Sequence, residues 1–285
     1  MKKTLILSVT ATLILCAAFA AGEQSKIYPF SLDYAPERSV LRVFPTPPGY
    51  ERFPSTKMNT FMAWITNLPL ENQYHPLIYW NQNIITRADS IAAVVDLAVG
   101  SVNQKDPDVA MQIVIEFLHA VGQLDNFPII LSPRDTITYD HWLGGSYKRD
   151  AHGSLVYKSG EKRPSNEKEY YRFLEFIFGR LENKNLLLNL SGPIEMKNIQ
   201  PGDLYIQFDP KDPDSSGHTA MIFDICSNKD GAMMFLFGMG GDPARSLYLP
   251  RPWPVDNRNW FTPDEFKKSL AEFGPGNFYR LKYLK

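Results

Sequence analysis

The chain predicts an α+β fold, with helices packed on a largely antiparallel sheet, on three observations. Helical periodicity dominates the middle of the sequence. Four or five short alternating strands crowd the part from Gly202 onward. No repeat or low-complexity tract interrupts either. The 285 residues are 44% hydrophobic and 21% charged, which suffices for a sizeable core.

In chain order, the sequence opens on MKKTLILSVTATLILCAAFA. Lys2 and Lys3 precede an apolar run that ends in Ala18-Phe19-Ala20. A basic start, an apolar centre and a small-x-small exit predict a secretory signal peptide over 1–21, and hence a periplasmic, cell-surface or extracellular destination. The run is short for a transmembrane helix, so an uncleaved anchor is the lesser reading. Lipidation at Cys16 is the lesser alternative, because Leu15 stands where the lipid-transfer site needs a small residue. Residues 22–55 carry Pro29, Pro36, Pro45, Pro47, Pro48 and Pro54 with little periodicity. This is a Pro-rich extension, expected to pack on the domain through Phe30, Tyr34, Leu41, Val43 and Phe44. Residues 56–285 are then expected to form a single α+β domain.

Ser55 begins a predicted helix with Phe61, Ile65 and Leu68 on one face and Pro69 as its stop. Residues 76–99 alternate as strands, with Leu77–Trp80, an Asn81–Asn83 turn and Val94–Val99. Asp106-Pro107 reads as an N-cap followed by Pro at the first helical position. Val109, Ile113, Phe117 and Ala120 follow at helical spacing as far as Gly122. Phe127–Leu131 is a strand, and the polar stretch 132–165 reads as a long irregular excursion. Asn166–Leu181 is a helix with Glu169 completing a capping box. A short helix from Thr262-Pro263 and a final strand through Tyr279–Tyr283 close the chain.

Removing the leader takes Lys2 and Lys3 and leaves 28 basic against 31 acidic residues, a net of about −3. No basic stripe points to nucleic acid. Only Cys226 would remain, so no disulfide staples the domain.

The segment GDLYIQFDPKDPDSSGHTAMIFDIC, residues 202–226, holds the candidate chemistry. Gly202-Asp203 opens one strand and Gly217-His218 opens the next. Cysteine–histidine catalysis needs a thiol within hydrogen-bond reach of the imidazole. Cys226 lies eight residues past His218 on one predicted strand, about 26 Å away at ~3.3 Å per residue, so it is not that thiol. It reads as a small buried side chain. No Gly-x-Ser-x-Gly elbow occurs, and Gly144-Gly145-Ser146 is a loose echo. The five histidines, His75, His119, His141, His152 and His218, show no metal-binding spacing. Asp209, Asp212 and Asp214 lack the Gly and Glu of a calcium loop. Neither a metal nor a cofactor is expected. Gly238–Gly241 lacks a phosphate-loop Lys and reads as a tight turn. Trp142, Trp253 and Trp260 fall in polar or Pro-rich loops, where they either stack on a ligand or seal the core.

The succession FMAWITNLPL (61–70), AVVDLAVG, IEFLHAVGQLDNFPI, Trp142, FLEFIFGR (173–180), IQPGDLYIQF, GHTAMIFDI and DPARSLYLPRP resembles a bacterial secreted family, the domain of unknown function 4846, over roughly residues 58–284. Its C-terminal half is similar in outline to NlpC/P60-like or papain-like cell-wall hydrolases, an analogy of fold and not of function. Measured against the resemblance, Asp106 stands where many members carry Cys. Met239–Arg245 replaces a Gln-containing run, and Lys148 is the nearest match to an Arg that follows the loop Trp. The strand after the histidine, Met233–Phe237, offers no polar residue to orient an imidazole.

A thiol mechanism is therefore excluded by inventory. The leading expectation is a non-catalytic binder of a cell-envelope or extracellular glycan or peptide, with Trp142, Lys148, Asp203, His218 and Arg245 as ligand-binding residues. The alternative is a hydrolase in which His218 is the general base and Asp203, on the neighbouring strand, is its acidic partner; Asp224 has the right parity but lies too far along the strand. A structural or interaction protein with no small-molecule site is the third reading.

Overall fold

The structure, a computed structural model, describes residues 27–31, 34–85, 89–207, 217–252 and 258–284. The leader with Cys16, the acids Asp209, Asp212 and Asp214, and Trp253 lie outside the described residues. The α-helices are α1 (Val40–Val43), α2 (Thr60–Thr66), α3 (Asp106–Ala120), α4 (Tyr139–Gly144), α5 (Glu167–Ile177), α6 (Asn183–Leu186) and α7 (Pro263–Ser269). Strands β1 (Tyr50–Arg52), β2 (Leu77–Ile78), β3 (Ile84–Ile85), β4 (Ile91–Val94), β5 (Ile129–Ser132), β6 (Asp135–Ile137) and β7 (Gly145–Arg149) come first. They are followed by β8 (Leu155–Ser159), β9 (Leu190–Ile194), β10 (Leu204–Gln207), β11 (Thr219–Asn228), β12 (Met233–Gly238), β13 (Tyr248–Pro250) and β14 (Gly276–Leu281).

Six strands make one antiparallel sheet. Its order runs β1-β11-β10-β14-β9, and β12 pairs with β11 as well. The long β11 is the organiser. Its first half pairs with β10 (Leu204 opposite Met221), its second half with β1 (Arg52 opposite Cys226), and its other edge with β12. Period-2 alternation then sends side chains to two different cores. Leu204, Ile206, Met221, Phe223, Met234 and Leu236 join the core that holds α2, α3 and α5. Tyr205, Ala220, Ile222, Phe235 and Phe237 join a smaller one beneath α7, around Phe266. Both faces are covered, so these strands read as nearly continuous apolar runs. Phe223, Phe235, Phe237 and Phe266 are fully buried, and each such side chain contributes about 1.5–3 kcal/mol.

Helix α3 is buried nearly all round, from Asp106 to Leu118, and packs on β11. The Pro-rich extension supplies Tyr28, Val40 and Phe44 to the larger core and β1 to the sheet edge.

Several boundaries differ from expectation. The helix predicted from Ser55 is a 3-10 turn, Ser55–Lys57, followed by α2, capped where the Asn59 side chain accepts from Met62 N–H at 2.9 Å. The strand predicted at Val94–Val99 lies earlier, at β4. The stretch 132–165 is not irregular: it holds the end of the β5–β6 hairpin, α4 and the β7–β8 hairpin. Its strands are short and largely exposed, so no apolar period marks them. Helix α5 ends at Ile177, and α6 resumes after a break that the apolar pattern hides.

Candidate functional site

His218 lies immediately before β11. Its carbonyl accepts from Gln207 N–H at 2.8 Å, and this continues the β10–β11 ladder. Gly217 precedes it with φ of 37°, and a Cβ there would stand 2.1 Å from the Gln207 carbonyl oxygen. Only glycine lets the chain enter β11 at this point. The next residue, Thr219, is hydrogen-bonded through its hydroxyl to the Oδ1 of buried Asn183, at the start of α6. The imidazole is therefore aimed by the Gly217 backbone on one side and by the Thr219–Asn183 side-chain contact on the other.

It is aimed at Asp106. The Nδ1 of His218 meets Oδ2 of Asp106, the first residue of α3. Asp106 does not cap the helix as the sequence suggested. Lys105 occupies the cap position, and Asp108 accepts the Lys105 N–H at 3.4 Å. That leaves Asp106 at the first helical position, where the unpaired N–H groups and the helix dipole favour a negative charge. Asp106 is 3% exposed, and its Oδ1 has no hydrogen-bond partner among the described residues. The His218 side chain is 13% exposed. A buried acid thus stands behind a partly exposed imidazole.

The turn after β12 closes over the acid. Gly240 packs so tightly on α3 that a Cβ would lie 3.1 Å from Val109 Cγ2 and 3.3 Å from Asp106 Oδ1. The void at this point, bounded by Val109, Thr219, Met221 and Gly240, is about 10 Å³, room for about one water molecule. A larger ligand must therefore be met from the His218 side. Arg245 donates from Nε to the Gly240 carbonyl at 3.0 Å and lies over the Tyr248 ring at 5.3 Å. Burial pushes the Tyr248 phenol up; Arg245 opposes the shift and Asp106 adds to it. Lys105 and Asp242 form an ion pair at 2.8 Å on the outer side of the same turn.

The expected partners of His218 are engaged elsewhere. Asp203, 1% exposed, receives two hydrogen bonds from Arg280, at 2.8 and 2.7 Å, and one from Gln200 N–H at 2.7 Å. Burial nevertheless raises its carboxyl above the ordinary range, against the pull of Arg280. Asp224 pairs with Arg52 Nε at 2.7 Å, beyond a β-bulge that breaks the parity read from the sequence. Both acids hold the sheet together; the partner is Asp106. Cys226 is wholly buried and its thiol is pushed up to about 12, chiefly by burial, so it is no nucleophile.

Nor do Trp142 and Lys148 line the Asp106 void. Trp142 packs on Phe173 and Phe176 under the Arg163 guanidinium, 4.3 Å from the ring centroid, in a different cleft. Lys148 is exposed on β7, opposite Val156. Trp260 is buried and donates to the Pro45 carbonyl at 2.9 Å, a core seal. The remaining histidines are scattered: His75 is beside Glu71 at 3.6 Å, His119 stacks on Tyr170, and His141 stacks on Tyr157. Among the described residues no three His, Cys, Asp or Glu side chains gather as a metal ion would require.

Sequence reasoning missed Asp106 and Asn183. One signal for Asp106 was present, since the resemblance implies a Cys at its position in many members. The Asp-Pro pair, however, reads first as a helix start.

Fold and site define an α+β protein in which a buried helix delivers a carboxylate to a histidine at the start of a central strand of an antiparallel sheet. The chain belongs to the family described as domain of unknown function (4846), whose model matches residues 40–276. No curated protein and no solved structure matches it.

Proposed function

We propose that the chain is an exported protein that binds a cell-envelope or extracellular glycan or peptide at the His218 edge without turning it over. One observation carries this reading: the imidazole is occupied by the Asp106 carboxylate, and no thiol faces it among the described residues. A carboxylate bound to imidazole is a far weaker acyl acceptor than a thiolate. The neighbouring acids Asp203 and Asp224 are tied to arginines. Export rests on the Lys2-Lys3 start, the apolar run and the Ala18-Phe19-Ala20 exit. Among the described residues no helix is long and apolar enough to cross a membrane.

A second reading is favoured by the same contact. A buried acid behind a partly exposed imidazole is also the arrangement of a general base that activates water. Asp106 would hold the tautomer, and the reaction would be a hydrolysis with no covalent intermediate.

Calorimetric titration with muropeptides and chito-oligosaccharides, with mass spectrometry of the recovered ligand, separates the two. Binding that His218→Ala abolishes, with the ligand recovered intact, supports the binder. Cleavage lost in His218→Ala and Asp106→Asn supports the hydrolase. Absence of both overturns each. The mass of the protein recovered from the periplasm tests removal of residues 1–21.

A further inference from the structure

We propose a second, separate site: the cleft between the β5–β6 turn, the β7–β8 turn and the segment after α5 binds a phosphate or sulfate ester carried on a sugar-sized polar body. Its volume is about 410 Å³, within the usual range of small-molecule sites. Arg134, Arg149 and Arg180, from three separate stretches of chain, converge on it together with His152. In a chain of net charge −1, such convergence is unfavourable unless something negative answers it.

The acids present answer only Arg149. Asp135 is buried and spent within the hairpins: Oδ1 accepts Leu155 N–H at 2.7 Å and Oδ2 lies 3.8 Å from Arg149. Glu182 is paired with Lys184 at 2.8 Å. Among the described residues, Arg134 and Arg180 take part in no ion pair. Arg180 lies between this cleft and the one beneath Trp142, with its guanidinium 4.3 Å from the Phe176 ring centroid and Nη1 donating to the Phe176 carbonyl at 2.6 Å. Arg149 donates to the Gly153 carbonyl. Two unanswered guanidiniums and an imidazole around one hollow suit a tetrahedral oxyanion, which offers three oxygens to forked donors. Ser132, Ser154 and Asn185 supply neutral hydrogen-bonding groups for hydroxyls. Among the described residues no Phe, Tyr or Trp lines the cleft to offer a nucleobase a stacking platform.

The site shares no lining residue with the void at Asp106, and the inference does not rest on the function proposed for His218. Calorimetric titration of the whole chain with inorganic phosphate, glucose 6-phosphate, glucose 6-sulfate and unmodified glucose tests it. The expected result is binding of the esters and not of glucose, weakened about tenfold by Arg134→Gln and by Arg180→Gln. His218→Ala and Lys267→Gln should change nothing. Preference for one ester over the other identifies the oxyanion. Arg134 is exposed, so if Arg180→Gln disturbs the Phe176 packing, Arg134→Gln carries the test alone. Equal binding of the esters to wild type and Arg134→Gln, or no binding at all, overturns the proposal.

Discussion

Asp106 and His218 are 112 positions apart in the chain and meet through Oδ2 and Nδ1. The first turn of a buried helix and the first residue before a central strand supply one group each. The pair therefore exists only when α3 is seated on β11. Asp106→Cys should place a thiol against the same imidazole at a helix N-terminus, a setting that favours the thiolate. We expect alkylation by iodoacetamide near pH 6 on the order of tenfold faster than a free thiol, located by peptide mapping. Cys226, wholly buried and with its thiol held near 12, should stay unmodified in the native protein. Equal labelling of the two sites would contradict the geometry.

The Asp203–Arg280 pair should matter for stability and not for ligand. Asp203 is buried, whereas the Arg280 side chain is 35% exposed. Removing the arginine strands an acid that already resists ionisation. Arg280→Ala is expected to cost about 2–4 kcal/mol in urea unfolding, less than a fully buried pair because solvent screens the guanidinium. Binding measured well below the melting temperature should be unchanged.

Gly217→Ala is expected to cost about 3 kcal/mol or more, because the new methyl meets the Gln207 carbonyl at 2.1 Å and the backbone there has positive φ. Thermal unfolding checks this. The imidazole signal of His218 should shift with it, since the same backbone aims the ring.

Glu116 gives a pH signature. Buried on α3, it receives Gln112 Nε2 at 3.4 Å, and burial lifts its carboxyl from 4.5 to about 7. The native state thus holds a proton that the unfolded chain releases. Its contribution to stability is full below about pH 4.5 and is lost as pH rises through about 7. Glu116→Gln should remove that slope, so its stability relative to wild type improves between pH 4.5 and 7. Urea midpoints across this range would reveal it.

Much of this was legible in the residues. The α+β class, a helix starting at Asp106 and the Gly-Asp and Gly-His strands all follow from period and turn chemistry, and the distance of Cys226 from His218 follows from strand length. The hairpins within 132–165 were not legible, because their strands are too short and too exposed to carry a pattern. The site was half legible. His218 stands out beside Gly217, but the residues offer Asp203 or Asp224 as its acid; the fold gives these to Arg280 and Arg52 and brings Asp106 to the imidazole instead.

The sequence by itself determined the local elements and the inventory of chemical groups, because those depend on neighbours within a few residues. Only the tertiary structure decided which acid faces His218 and that Arg134, Arg149 and Arg180 share one hollow. Those juxtapositions join residues tens to more than a hundred positions apart, and they are fixed by how the helices and hairpins pack, which no local period encodes.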